Sequence, residues 1–367
     1  MKNNLLLCSL LFFSPFLFGQ NKPYFQQQVD YNIRVVLDDE NHTLTGTVEM
    51  VYTNNSPDEL SEIYIHLWAN AFKNNNTAFA RQKLRTGSTR FYFSSAEDRG
   101  YYGGLDFTID GQKAAWRLKA ENPDIAVVTL PQPLESGGKV TIRTPFTEKI
   151  PASFSRLGHV GTSYQMTQWY PKPAVYDRKG WHPIPYLDMG EFYSEFGSFD
   201  VSITLPENYV VGATGVLQTE SERIFLMKKV EETKGYMEKG FPTDTSFPAS
   251  SSTMKTIRYT AENVHDFAWF ADKRFHVQRG EVTLASGQKV DTWTMFTNEQ
   301  ADLWRESINY VGRAVEFYSK HIGEYPWPHA TAVHSALSAG GGMEYPMITV
   351  IGNAGGAKDL DQVITHE

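Results

Sequence analysis

The sequence predicts a mostly β fold whose C-terminal part turns α+β, and three features predict it. Short runs of alternating apolar and polar residues, punctuated by Gly and Pro, fill residues 24–215. Almost no helical period interrupts them. From Thr297 onward the apolar residues instead step by three and four, the period of a helix with one buried face. Together these point to a large antiparallel β saddle or sandwich as the N-terminal domain, followed by a smaller region of mixed structure.

The first residues read as an export signal. Residues 5–18 form an apolar run without charge, preceded by one Lys and followed by Gly19 and Gln20. The run is shorter than the roughly 20 residues a membrane span needs, so cleavage after Gly19 is expected, with export to the periplasm, outer surface or medium. Cys8, the only cysteine, lies inside this run and follows Leu7 rather than a small residue, so no lipid attachment is expected. A mature chain without disulfides has to be held by its own core. Composition is that of an ordinary globular chain, 41% hydrophobic and 14% aromatic, with net charge −8. An acidic balance without a Lys/Arg block argues against nucleic acid as a partner, and no transmembrane segment is expected after residue 20. The oligomeric state is not legible.

Along the β region, Tyr31, Ile33, Val35 and Leu37 alternate with polar residues, and the pattern resumes at Leu44, Val48, Met50 and Tyr52 after a polar turn: a hairpin. Further strands are expected at 63–68, 125–130, 140–144 and 199–205, and again at 254–259, 275–284 and 290–296. Residues 70–104 and 152–192 read as long irregular loops of the kind that carry function or pack as compact surface loops. Residues 216–253 read as a polar, solvent-exposed insertion between strands. The period change places a domain boundary near Thr297. There Thr297 and Gln300 are expected to form a capping box for a helix carrying Trp304, Ile308, Val311, Val315, Tyr318 and Ile322. His321, His329 and His334 are spaced too irregularly to share a helix face and are not expected to hold a metal.

The last stretch, residues 340–367, combines a glycine run, a β-branched strand at 347–351, a glycine-rich turn and an amphipathic helix. Leu360, Val363 and Ile364 pack that helix, and His366 and Glu367 end it. A second His four residues on would share a face with His366 and let both imidazoles hold one zinc, with the Glu between them placed to deprotonate water. Glycines 341 and 342 allow close backbone approach, and Glu344 follows as a carboxylate able to meet an ammonium group.

Gly341, Gly342, Met343, Glu344 and Tyr345, followed by the helix ending VITHE, resemble the GxMEN strand and HExxH helix of the M1 family of zinc aminopeptidases. Thr167 with Gln168 and the segments 190–197 and 264–270 also resemble family segments. The resemblance implies an N-terminal β domain at 20–297 and, at 298–367, the start of a thermolysin-like catalytic domain. It implies one Zn2+ held by His366 with further ligands beyond residue 367, Glu367 as general base on zinc-bound water, and peptides as substrates. Glu344 would bind the free N-terminus, while Gly341, Gly342, Met343 and Gln168 would line the substrate site. Two residues depart from the pattern. Tyr345 stands where the family has Asn, and Tyr170 stands where it has Glu or Gln, which leaves fewer ammonium contacts.

As given, the sequence carries one of three zinc ligands, so weak zinc binding and no turnover are expected of it alone, with apolar faces exposed at 304–322 and 360–364. Other classes fit the same residues: a non-catalytic protein-binding scaffold on this fold, an exported β-rich glycan-binding module, or a hydrolase of non-peptide substrates.

Overall fold

The computed structural model describes residues 24–335 and 341–367. The expected signal segment with Cys8 and its cleavage point after Gly19 lies outside the described residues, as does Gly340.

Where polar and apolar residues alternate, strands form. Gln28–Asp38 and Thr43–Thr53 pair antiparallel along their whole length, burying Val29, Tyr31, Ile33, Val35 and Leu37 on one face. Asp38 holds the turn between them, its Oδ1 accepting the backbone N–H groups of Glu40 and Asn41 at 3.1 and 3.0 Å. This hairpin lies in a nine-stranded sheet with Gly197–Pro206, Met254–Val264 and Lys139–Lys149 among its other strands. Gly197–Pro206 runs parallel to Gln28–Asp38, whereas its other neighbour, Met254–Val264, is antiparallel to it. A four-stranded sheet built on Leu60–His66 and Asn122–Leu134 shares its core. The fold is thus mostly β, as the alternation predicts.

A five-stranded mixed sheet carries the C-terminal part, in the order His276–Thr283, Lys289–Phe296, His329–His334, Ile348–Ile351, Gly342–Tyr345. Its first two strands precede Thr297, so one sheet continues across the position where the helical period begins. Ser307–His321 and Ala357–His366 pack together over a core of Trp304, Val311, Val315, Leu360 and Ile364.

Three expectations need correction. The capping box does not form: Thr297 makes no side-chain cap bond, its hydroxyl meeting His334 Nδ1 at 3.3 Å instead, and the helix starts at Ser307 after two short 3-10 turns. The polar stretch after residue 216 contains a 20-residue helix, Glu220–Lys239. Its buried stripe is Glu222, Leu226, Val230 and Thr233, and half of that stripe is polar. Lys255 pairs with Glu222 at 2.7 Å, and the Thr233 hydroxyl accepts the Val277 N–H at 2.9 Å. A hydropathy pattern cannot register a helix whose inward face is satisfied by hydrogen bonds. Lastly, the apolar faces expected to be exposed are mostly covered. Trp304, Leu360 and Ile364 are buried, and Phe317, Tyr318 and Ile322 are the residues of those faces left open.

Candidate active site

Two elements bring the expected site residues together. Gly342–Tyr345 is the last strand of the five-stranded sheet, paired antiparallel with Ile348–Ile351. Pro346 and Met347 turn the chain between them. Proline fixes the first turn position, and Met347 takes the second with φ of 65°, a left-handed conformation that its burial in the core compensates. The second element, helix Ala357–His366, is docked by Leu360 and Ile364, each worth roughly 1.5–3 kcal/mol of buried surface. Asp359 braces its first turn by accepting the Gly355 N–H at 2.8 Å. The helix therefore packs against the sheet through its own side chains and delivers His366 and Glu367 from its last turn.

Glu344, His366 and Glu367 line one cavity of about 420 Å³ together with His265 and Tyr345. Val311, Tyr318 and Trp327 are among its apolar lining residues. Gly342 leaves the space that the Glu367 side chain fills: a Cβ there would stand 2.5 Å from Glu367 Oε1, so a larger residue would push that side chain out of its present position. Gly341 is under no such pressure, its nearest prospective neighbour being Val363 at 3.8 Å, and its carbonyl accepts the Gly352 N–H at 2.9 Å. Met343 points to the opposite face of the strand and packs on the apolar core.

The Glu367 carboxyl is pushed up to about 7, first by burial and then by the hydrogen-bonding Glu344 carboxylate beside it, with Glu191 adding to the effect and Arg156 opposing it. Two carboxylates this close resist carrying two negative charges at once. Neither makes an ion pair among the described residues. Burial likewise holds the His265 imidazole below its ordinary value, against the pull of Asp266 and Glu344.

Gln168 stands one side chain behind the cavity. Its backbone has φ of 52°, its Oε1 accepts the Tyr345 hydroxyl at 3.3 Å, and its Nε2 donates to Asp266 Oδ2 at 3.3 Å. Tyr170 is buried beside it and donates to Asp266 Oδ1 at 2.8 Å. The two departures from the family pattern thus fall on one network: Tyr345 reaches back to Gln168, while Tyr170 anchors to the same Asp266. His329 and His334 are bonded within the protein, to the Gly215 carbonyl at 2.7 Å and the Asn353 side chain at 2.8 Å, consistent with a structural place.

His366 is the one imidazole of the motif in this chain, and no group of three metal-binding side chains is gathered among the described residues. What the described residues offer a metal is a single imidazole lining the same cavity as a carboxylate pair. Sequence reasoning missed His265 as a lining residue of this cavity, since a single residue on a loop carries no periodicity or spacing to reveal it.

No protein-family profile matches this chain, and no curated protein matches it. Solved structures do. A mutant of the M1 zinc metallopeptidase from Deinococcus radiodurans superposes with a TM-score of 0.56 at 15% identity, over 93% of this chain and 63% of that one. The same organism's M1 zinc metallopeptidase gives 0.54 at 14% identity, over 93% and 62%. A two-domain M1 zinc metallopeptidase mutant bound to L-tryptophan gives 0.55 at 15% identity, over 93% and 64%. This chain therefore spans 62% to 64% of the length of these structures. At such identities the likeness speaks for architecture, and the architecture is that of the M1 zinc metallopeptidases.

Proposed function

We propose that the full-length protein is an exported zinc aminopeptidase of the M1 type, removing residues one at a time from the N-termini of peptides. The observation that carries this reading is a pair of carboxylates, Glu344 and Glu367, held against each other without an ion-pair partner in the same cavity as His366. Two carboxylates held together, one of them partly buried, resist carrying two negative charges at once, and cations arriving from outside the chain would give the pair a purpose.

In this reading Glu344 receives the ammonium of the substrate's first residue, which limits cleavage to the terminal bond. The edge strand Gly342–Tyr345 aligns the substrate backbone, and Gly342 leaves room for Glu367 to swing within reach of the scissile bond. Zinc, when bound by His366 with ligands from beyond residue 367, supplies Lewis acidity to the carbonyl and to water. Glu367 accepts a proton from the attacking water and returns it to the departing amine. Gln168 holds Tyr345, and through it the strand, in register.

The test is hydrolysis of alanyl-p-nitroanilide and its N-acetyl counterpart by the full-length protein. Turnover of the free amine that a chelator abolishes and zinc restores is expected, with the acetylated substrate untouched. Absence of chelator-sensitive turnover would leave the scaffold or glycan-binding readings standing instead.

A further inference from the structure

The five-stranded sheet has a second face, and a second cavity lies on it. Alternation along the strands sends Val290, Phe296 and Ala332 to the core shared with helix Ala357–His366. It sends Asp291, Trp293 and Met295 the other way. On that side Met295 joins Val210 and Leu226 in a separate core, and a cavity of about 400 Å³ opens between the sheet, strand Val210–Ala213 and helix Glu220–Lys239. Its volume lies within the roughly 300–1,000 Å³ of small-molecule sites. Apart from Thr331, which borders both, it shares no lining residue with the cavity of Glu344 and His366.

Most of the lining is apolar, and several of its polar side chains are already committed to the fold. The Tyr259 hydroxyl donates to the Val211 carbonyl at 3.2 Å. His329 is bonded through both nitrogens, to the Gly215 carbonyl at 2.7 Å and the Thr331 hydroxyl at 3.2 Å. Arg223 Nε donates to the Leu217 carbonyl at 3.0 Å. Arg279 and Asp291 are not used up in this way. Arg279 Nη2 donates to Asp291 Oδ1 at 2.5 Å, with the two side chains 37% and 39% exposed. The guanidinium lies over the Trp293 ring at 5.5 Å. Neither side chain makes another hydrogen bond among the described residues, which leaves most of the guanidinium's N–H groups and Asp291 Oδ2 open to a ligand. An exposed pair of this kind contributes only about 0–1 kcal/mol to the fold, so a ligand can share its charges at little cost.

An α-amino acid carries a carboxylate and an ammonium on one carbon, which is the complement of a guanidinium and a carboxylate held side by side. We propose that this cavity is a second binding site, for a free α-amino acid with an apolar side chain such as leucine. The ligand carboxylate meets Arg279, its ammonium meets Asp291, and its side chain enters the space bordered by Leu226, Trp293 and Met295. The site stands independently of the peptidase reading, since it uses none of the residues placed in that chemistry.

The experiment measures L-leucine binding by calorimetry to the full-length protein carrying Glu344→Gln, which removes the ammonium contact of the first cavity. Saturable binding is expected. Leucinamide, N-acetyl-leucine and glycine each lack one of the three contacts and should bind at least about tenfold more weakly. Adding Arg279→Gln or Asp291→Asn should weaken L-leucine about ten- to hundredfold, the weight of a charge-assisted contact. The unfolding midpoint should stay close to the parent's, because the pair is exposed. L-leucine affinity that both substitutions leave unchanged would overturn the assignment. So would equal affinity for leucinamide or N-acetyl-leucine, or no L-leucine binding up to about 10 mM.

Discussion

Two sets of carboxylates sit close together in this chain and are treated in opposite ways. Asp266 is fully buried and fully answered: Lys172 Nζ lies 2.8 Å from Oδ1, Tyr170 and the Phe267 N–H donate to it at 2.8 Å each, and Gln168 donates at 3.3 Å. Burial pushes its carboxyl up, yet Lys172 and these donors hold it below the ordinary range. Glu344 and Glu367 are less buried and have each other for company, and Glu367 is driven up to about 7. The first arrangement completes itself within the chain and serves the fold. The second has no ion-pair partner among the described residues, which is what the proposed ammonium and zinc site would require.

Replacing members of each set should separate the two roles, and the largest effect is expected at Glu367. In the full-length zinc-loaded protein, Glu367→Gln should cut peptide hydrolysis by about 10²–10⁴-fold, the weight of a general base, without lowering the unfolding midpoint. An active variant would remove Glu367 from the chemistry. Asp266→Ala should act on the fold instead, costing about 3–5 kcal/mol in urea unfolding because Lys172 is left buried and uncompensated. A cost below about 1 kcal/mol would mean the network is not what holds this loop.

Glu195 sharpens the contrast as a buried carboxyl whose hydrogen bonds do not offset its burial. Burial raises it to about 8, against help from the Tyr176 N–H, which it accepts at 3.2 Å. Since its folded value lies above the ordinary 4.5, the folded chain keeps a proton that the unfolded chain has released between those values. Stability from this group is therefore present at acid pH and falls as pH rises toward 8. Glu195→Gln should unfold like wild type near pH 4 and be more stable above pH 8, by on the order of a few kcal/mol at most. A pH-independent difference would contradict the assignment. The smallest effect is expected for Tyr345→Phe, which removes the hydroxyl bonded to Gln168 and should cost about 0.5–1.5 kcal/mol of stability.

What could be seen in the sequence follows the same division. Strands whose burial alternates, such as Gln28–Asp38, announce themselves because period-two hydropathy and structure are the same fact. The C-terminal helix is legible for a similar reason, since Leu360 and Ile364 repeat on one face and place His366 at its end. Helix Glu220–Lys239 is not legible, because Glu222 and Thr233 line its buried side and are satisfied by partners far along the chain. Gln168 was found by its likeness to a motif, but the ties of Tyr170 and Tyr345 to its network depend on side-chain orientation, which residue spacing does not encode.

The central claim, that Glu344 awaits the ammonium of a peptide, is tested most directly by comparing free and N-acetylated alanyl substrates on full-length wild type and Glu344→Gln. Wild type should hydrolyse the free amine by far the faster, and Glu344→Gln should lose most of that advantage while still binding zinc. A variant that keeps the full preference for a free amino terminus would contradict the account.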